Sequence, residues 1–184
     1  MITLLIVLIV IVGILLWSVG VFNGLVKLRE NTKNGWSQID VQLKRRHDLI
    51  PNLVETAKGY MKHEQDTLEN VIKARQQAVN ASNMKDKQAA ENFLSSTLRS
   101  LFAVSENYPN LKADQQMLKL HEEITSTENK ITFARQYYND EVNRLNTAVQ
   151  SFPDAVIANA FKFEKREFFE LEDDSAKNAP TVKF

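Results

Sequence analysis

The chain contains no cysteine among its 184 residues. That excludes disulfides, thiolate metal sites and a cysteine nucleophile. Glycine is scarce, five in all. Three of the five, Gly13, Gly20 and Gly24, lie in or beside one apolar run, so no glycine-rich phosphate loop can be assembled. Net charge is absent too, 23 basic residues against 23 acidic. No global field draws the chain to nucleic acid, and no long basic run marks such a patch. Alternation of apolar and polar residues, the mark of a half-buried strand, is missing. The three histidines, His47, His63 and His121, fit neither a His-Glu-x-x-His frame nor the Glu-x-x-His motif of di-iron bundles. They are expected to be surface or core residues rather than metal ligands. Ser95, Ser96 and Ser105 sit in no nucleophile elbow and have no lysine three residues on. No catalytic residue, cofactor site or metal site is expected, and the chain does not read as an enzyme.

What is present begins at the first residue. Ile2–Phe22 has no charge and only Thr3, Ser18 and two glycines among Ile, Leu, Val, Trp and Phe. As a helix it would be roughly 31 Å long at about 1.5 Å per residue, close to the ~30 Å hydrocarbon core of a bilayer. It has no polar stripe, as a soluble core helix would. Residues 1–26 are therefore expected to form a transmembrane helix. A cleaved signal peptide is the competing reading. It is disfavoured by Met1-Ile2-Thr3, which offers no positive leader, by the length of the run and by the missing Ala-x-Ala site. Lys27, Arg29, Lys33, Lys44, Arg45 and Arg46 all follow the run. The positive-inside rule then places the domain in the cytoplasm and the N-terminus outside. Gly20-x-x-x-Gly24 has the small-residue spacing of close helix contacts in membranes, though such matches are common by chance.

The rest reads as helices. Leu25, Leu28, Trp36, Ile39, Leu43 and Ile50 recur at three- and four-residue spacing, so the membrane helix is expected to continue directly into the bundle without a Gly/Ser linker. Trp36 is expected in the core rather than in an interfacial belt. A second helix is expected to start near Pro51, with Asp48 at its positive end, and to run to Asn80. One continuous helix kinked at Pro51 is the alternative. Its apolar side carries Leu53, Val54, Ala57, Met61 and Leu68. A third helix is expected over Lys85–Glu106, with Phe93, Leu94, Leu98 and Leu101 on its apolar face, then a turn at Asn107-Tyr108-Pro109-Asn110. A fourth carries a seam from Met117 through Ile124, Ile131, Tyr138, Glu141 and Leu145 to Ala148, and Phe152-Pro153 stops it. The expected fold is all-α: an N-terminal transmembrane helix continuing into an extended antiparallel bundle of about four helices over 27–169, with a flexible tail over 170–184.

Polar residues beside the seam include Asn129, Arg135, Tyr138, Asn139 and Asn143. They fit a buried polar network that fixes register, and a polar ligand groove is the competing reading. Arg45, Arg46 and Asp48 raise the same choice, with an ion pair to Glu106 or another acidic residue across the bundle as the structural expectation. The tail ends in Phe184, whose carboxylate suits a docking peptide, against the plainer reading of a solvated end.

Several separated blocks are similar to the signature of the LemA family. They are Gly35-Trp-Ser-Gln-Ile-Asp-Val-Gln-Leu-Lys-Arg-Arg-His-Asp-Leu-Ile-Pro-Asn-Leu-Val54, Lys58-Gly-Tyr-Met-Lys-His-Glu64, Glu106-Asn-Tyr-Pro-Asn-Leu-Lys-Ala113, Glu128-Asn-Lys-Ile131, Ala134-Arg-Gln-Tyr-Tyr-Asn139, Phe152-Pro153 and Val182-Lys-Phe184. The resemblance implies a single-pass bacterial membrane protein with a helical bundle and no established catalytic activity. Its expected role is a scaffold or interaction module. Its expected surroundings are the lipid bilayer, other membrane proteins such as a membrane metalloprotease, and further copies of itself, with no nucleic acid. The alternative role is a regulatory subunit or adaptor of a membrane-bound protease.

Overall fold

The computed structural model describes residues 1–169. Those residues form six helices and no strand, an all-α fold that opens with one long apolar helix. The expected tail, including Phe184, lies outside the described residues. The helices are α1 (Ile2–Lys58), α2 (Gln65–Asn80), α3 (Met84–Ser105), α4 (Pro109–Lys112), α5 (Gln115–Gln150) and α6 (Asp154–Ala160).

Helix α1 is 57 residues long and keeps Pro51 inside it. This corrects the expectation of a new helix at Pro51. Proline removes the N–H that the His47 carbonyl would have accepted. That carbonyl accepts instead from Arg75 Nε on α2, at 2.7 Å. The side chain takes over the lost backbone bond, so the helix runs on to Lys58. Asp48 is consequently an exposed residue in the middle of a helix, with no helix start to complement.

The expected helix from Pro51 to Asn80 is also corrected, because the chain breaks between Lys58 and Gln65. Gly59 is the poorest helix former there apart from proline. The Ala57 carbonyl accepts from both Tyr60 N at 3.0 Å and Met61 N at 2.8 Å, which tightens the last turn. Met61 plugs the core at the break, 1% exposed.

The later punctuation follows side-chain capping. Asn83 caps α3 by accepting from Asp86 N at 2.8 Å. The expected turn at 107–110 holds a helix start: Tyr108 leaves the α region and Pro109 occupies the first position of α4. Asp114 Oδ1 accepts from Gln116 N and Met117 N, each at 2.9 Å, and opens α5. The bond from Met117 first, then one from the Tyr60 hydroxyl and that from Gln116, hold its carboxyl below the usual aspartate range.

The chain divides into two compact units, one of Met1–Val41 with Ile131–Phe168, the other built on Gln42–Lys130. In the first, Leu25, Leu145, Val149, Ile157, Ala158 and Phe163 form the core. In the second, residues of α1 through α5 form a larger one, with Ile50, Leu53, Val71, Leu94, Leu101 and Leu111 fully buried. Burying each such side chain stabilises the fold by about 1.5–3 kcal/mol.

Candidate functional site

Two polar centres stand out, one in each unit. The second unit's centre is built from three helices. α1 supplies the adjacent Arg46 and His47. α3 supplies Glu91 and Ser95, four apart and so on one face. α5 supplies Glu128. The Arg46 guanidinium donates to Glu91 through one terminal nitrogen and to Glu128 through the other. The second nitrogen also donates to Ser95 Oγ at 2.8 Å, and Ser95 Oγ donates to Glu128 Oε1 at 3.2 Å. His47 Nε2 donates to Glu91 Oε1 at 2.8 Å. The Arg46 and Glu91 side chains are both 0% exposed, whereas Glu128 is 39% exposed, so Glu128 carries the cluster to solvent.

Burial alone would push the Glu91 carboxyl up. The His47 hydrogen bond and the Arg46 charge outweigh it and leave the group below the usual glutamate range. Glu91 is therefore ionised at neutral pH and satisfied on both oxygens. The planar fork of Arg46 holds three helices at one register, a geometry that suits arginine and not lysine. With both terminal nitrogens engaged, the centre behaves chemically as a lock.

The first unit's centre is lighter. Glu141 is buried and accepts from Asn31 Nδ2 at 3.0 Å and from Arg144 Nη1 at 2.8 Å. Tyr138 is buried, meets Trp36 edge-on with centroids 5.6 Å apart, and donates its hydroxyl to the Glu167 carbonyl at 2.9 Å. Burial pushes the Tyr138 hydroxyl up. Gly35 is what lets the backbones approach: a Cβ there would sit 3.1 Å from Tyr138 Cα.

The remaining expected positions are scattered. Arg45 is half exposed and lies 3.9 Å from Glu123. Glu106 pairs with Lys112 and not with the arginines. Tyr108 is partly buried and bonded to Glu64, which raises its hydroxyl pKa. Arg135 is buried, Asn139 half-buried, and Asn129 and Asn143 are exposed. Trp36 and Tyr138 are thus brought together, and Arg46 finds acidic partners, while Asn139 and Asn143 do not share a buried site. Glu91 was missed. It sits on the face assigned to apolar residues of α3, where Phe93 turns out to be 47% exposed. The available signal was Glu91 with Ser95, an i, i+4 polar pair interrupting an apolar stripe.

The model of the LemA family matches residues 35–184, most of the chain. The chain belongs to the LemA family. A comparison with curated proteins returns no match. The matched stretch includes every member of the Arg46 centre and both Trp36 and Tyr138. Residues 1–34, with the apolar run, lie before it. α1 is the one helix among the described residues long and apolar enough to cross a membrane, and none of that apolar window is buried by the protein itself.

Proposed function

We propose that this LemA-family chain is a membrane-anchored, non-catalytic helical-bundle protein that serves as a scaffold or interaction module at the bacterial membrane. The observation that carries the reading is the apolar window of α1, which no other described residue of the chain buries. An uncovered helix of this composition needs a bilayer, because leaving each Leu or Ile in water costs about 1.5–3 kcal/mol. The same helix continues to Lys58 and so supplies Arg46 and His47 to the bundle lock. A buried charge lock with both terminal nitrogens of its guanidinium engaged holds a surface in shape, which supports a binding role over turnover. Lys27, Arg29 and Lys33 after the apolar run favour a cytoplasmic bundle.

The test is extraction. The full chain should stay with membranes in alkaline carbonate and leave them in detergent, and deleting residues 1–26 should release it. Carbonate extraction of the intact chain would end the reading. In-cell cross-linking mass spectrometry should then show neighbours that are membrane proteins, on the side of the bilayer predicted for the bundle.

A further inference from the structure

The corner between α5 and α6 is unusually apolar for an exposed turn. Phe152 is 86% exposed, Val156 56% and Phe161 59%. A core-facing set exists alongside them: Ile157 and Ala158 of α6 are buried against Leu25. Phe152, Val156 and Phe161 are therefore apolar residues that the fold turns outward.

Their position relative to the apolar run is fixed by contacts within the first unit. The Phe161 ring lies 4.8 Å from the Phe22 ring. Ala148 and Asp154 line one groove, about 410 Å³, with Trp17, Gly20 and Gly24 of α1. Phe22 closes the apolar run just ahead of Asn23, five residues before the first charge at Lys27, and Trp17 lies roughly 7.5 Å further in at about 1.5 Å per residue. The corner is beside the final turns of the segment that crosses the bilayer, at a depth where its neighbours on α1 are themselves apolar. Gly20 and Gly24 have nothing within 4 Å of an added Cβ, so the groove on this side is open. Exposed basic residues follow on both strands of chain, Lys27 on α1 and Lys162 and Arg166 after α6, as anionic headgroups would require. Asp154, partly buried at the groove, is the one carboxylate lining it and belongs at headgroup level.

We propose that the α5–α6 corner, through Phe152, Val156 and Phe161, inserts into the interfacial layer of the bilayer that the N-terminal helix crosses, giving the protein a second membrane contact. This rests on the membrane-anchor reading above. Three outward apolar side chains with basic neighbours are the composition of an interfacial anchor. Continuity with the uncovered surface of α1 identifies lipid as the occupant.

The absence of cysteine makes the test direct. Phe152→Cys and Phe161→Cys, each labelled with nitrobenzoxadiazole in the full chain, are reconstituted into phosphatidylcholine–phosphatidylglycerol vesicles. Ser100→Cys, exposed on α3, is the reference. Both sites are more than half exposed, so the label leaves the core intact. Lipids carrying a doxyl quencher at acyl position 5 should quench the corner probes at least about twofold more than the reference, as a shallow insertion demands. Vesicles that float with the protein while the corner probes match the reference would overturn the corner contact and leave the anchor standing. Protein that fails to float would overturn both. Corner emission that ignores the doxyl lipids but shifts as the protein is diluted in lipid would mean that a second copy covers the corner, which also overturns the proposal.

Discussion

In Met1–Val41 with Ile131–Phe168 the helices meet through an aromatic edge and a missing side chain: Trp36 on Tyr138, with Gly35 letting the backbones close in. In Gln42–Lys130 they meet through full charges at zero exposure, Arg46 against Glu91. Apolar contact is non-directional and forgiving of small shifts. A buried guanidinium is not, because the desolvation of both charges is offset only when every bond is made. Beside their apolar cores, one unit adds a close fit of shape and the other a set of buried charges, so damage to these two features should look different.

The largest effect is expected at Arg46. Arg46→Ala leaves Glu91 charged and buried, and should cost about 3–5 kcal/mol in chemical denaturation of the detergent-solubilised chain. Replacing Arg46 and Glu91 together by Met and Leu should recover most of that loss. A double variant as unstable as the single one would mean that the region depends on charge in some way beyond pairing. Next comes Gly35→Leu, which forces atoms against the Tyr138 backbone and should cost about 1–3 kcal/mol by overpacking. The same change at Gly24, which faces open space, should cost far less, and equal losses would erase the distinction.

The acid response belongs to the charged unit. The folded-state pKa of Glu91 is depressed, so its contribution is complete above the ordinary glutamate value of about 4.3 and is lost as pH falls through the lower folded value. Thermal melts over that window should flatten in Glu91→Gln and keep their slope in Tyr138→Phe. Tyr138→Phe is the smallest of these changes. It loses one hydroxyl bond to the Glu167 carbonyl, about 1 kcal/mol, with no dependence on acid.

The contrast also explains what could be read from the chain alone. Seam residues such as Ile124, Ile131, Tyr138 and Leu145 repeat at three and four, and all four are buried. The helical class, the start of α3 and the length of α5 follow from such spacing and from Pro and Asn signals. The break after Lys58 was hidden because Ala57, Met61 and Leu68 keep helical spacing across it, and all three are buried. The run through Pro51 ranks only as the alternative for the opposite reason: its rescue comes from Arg75, far along the chain, and local propensity carries no trace of a distant donor. The same holds for the lock. Arg46 is visible as a charge in an apolar pattern, but its choice of Glu91 and Glu128 is decided by packing.

Pro51 and Arg75 also set an order in which substitutions can accumulate. While Pro51 is present, Arg75 serves the carbonyl whose regular helical donor is missing, and its loss should cost about 1–3 kcal/mol. Once Pro51 becomes alanine, the backbone supplies its own donor and Arg75 is spare. A lineage can therefore shed the proline first and the arginine later at little cost, whereas the reverse route passes through a damaged intermediate. Two positions on different helices behave as a single heritable unit, with a direction built into it by one missing N–H.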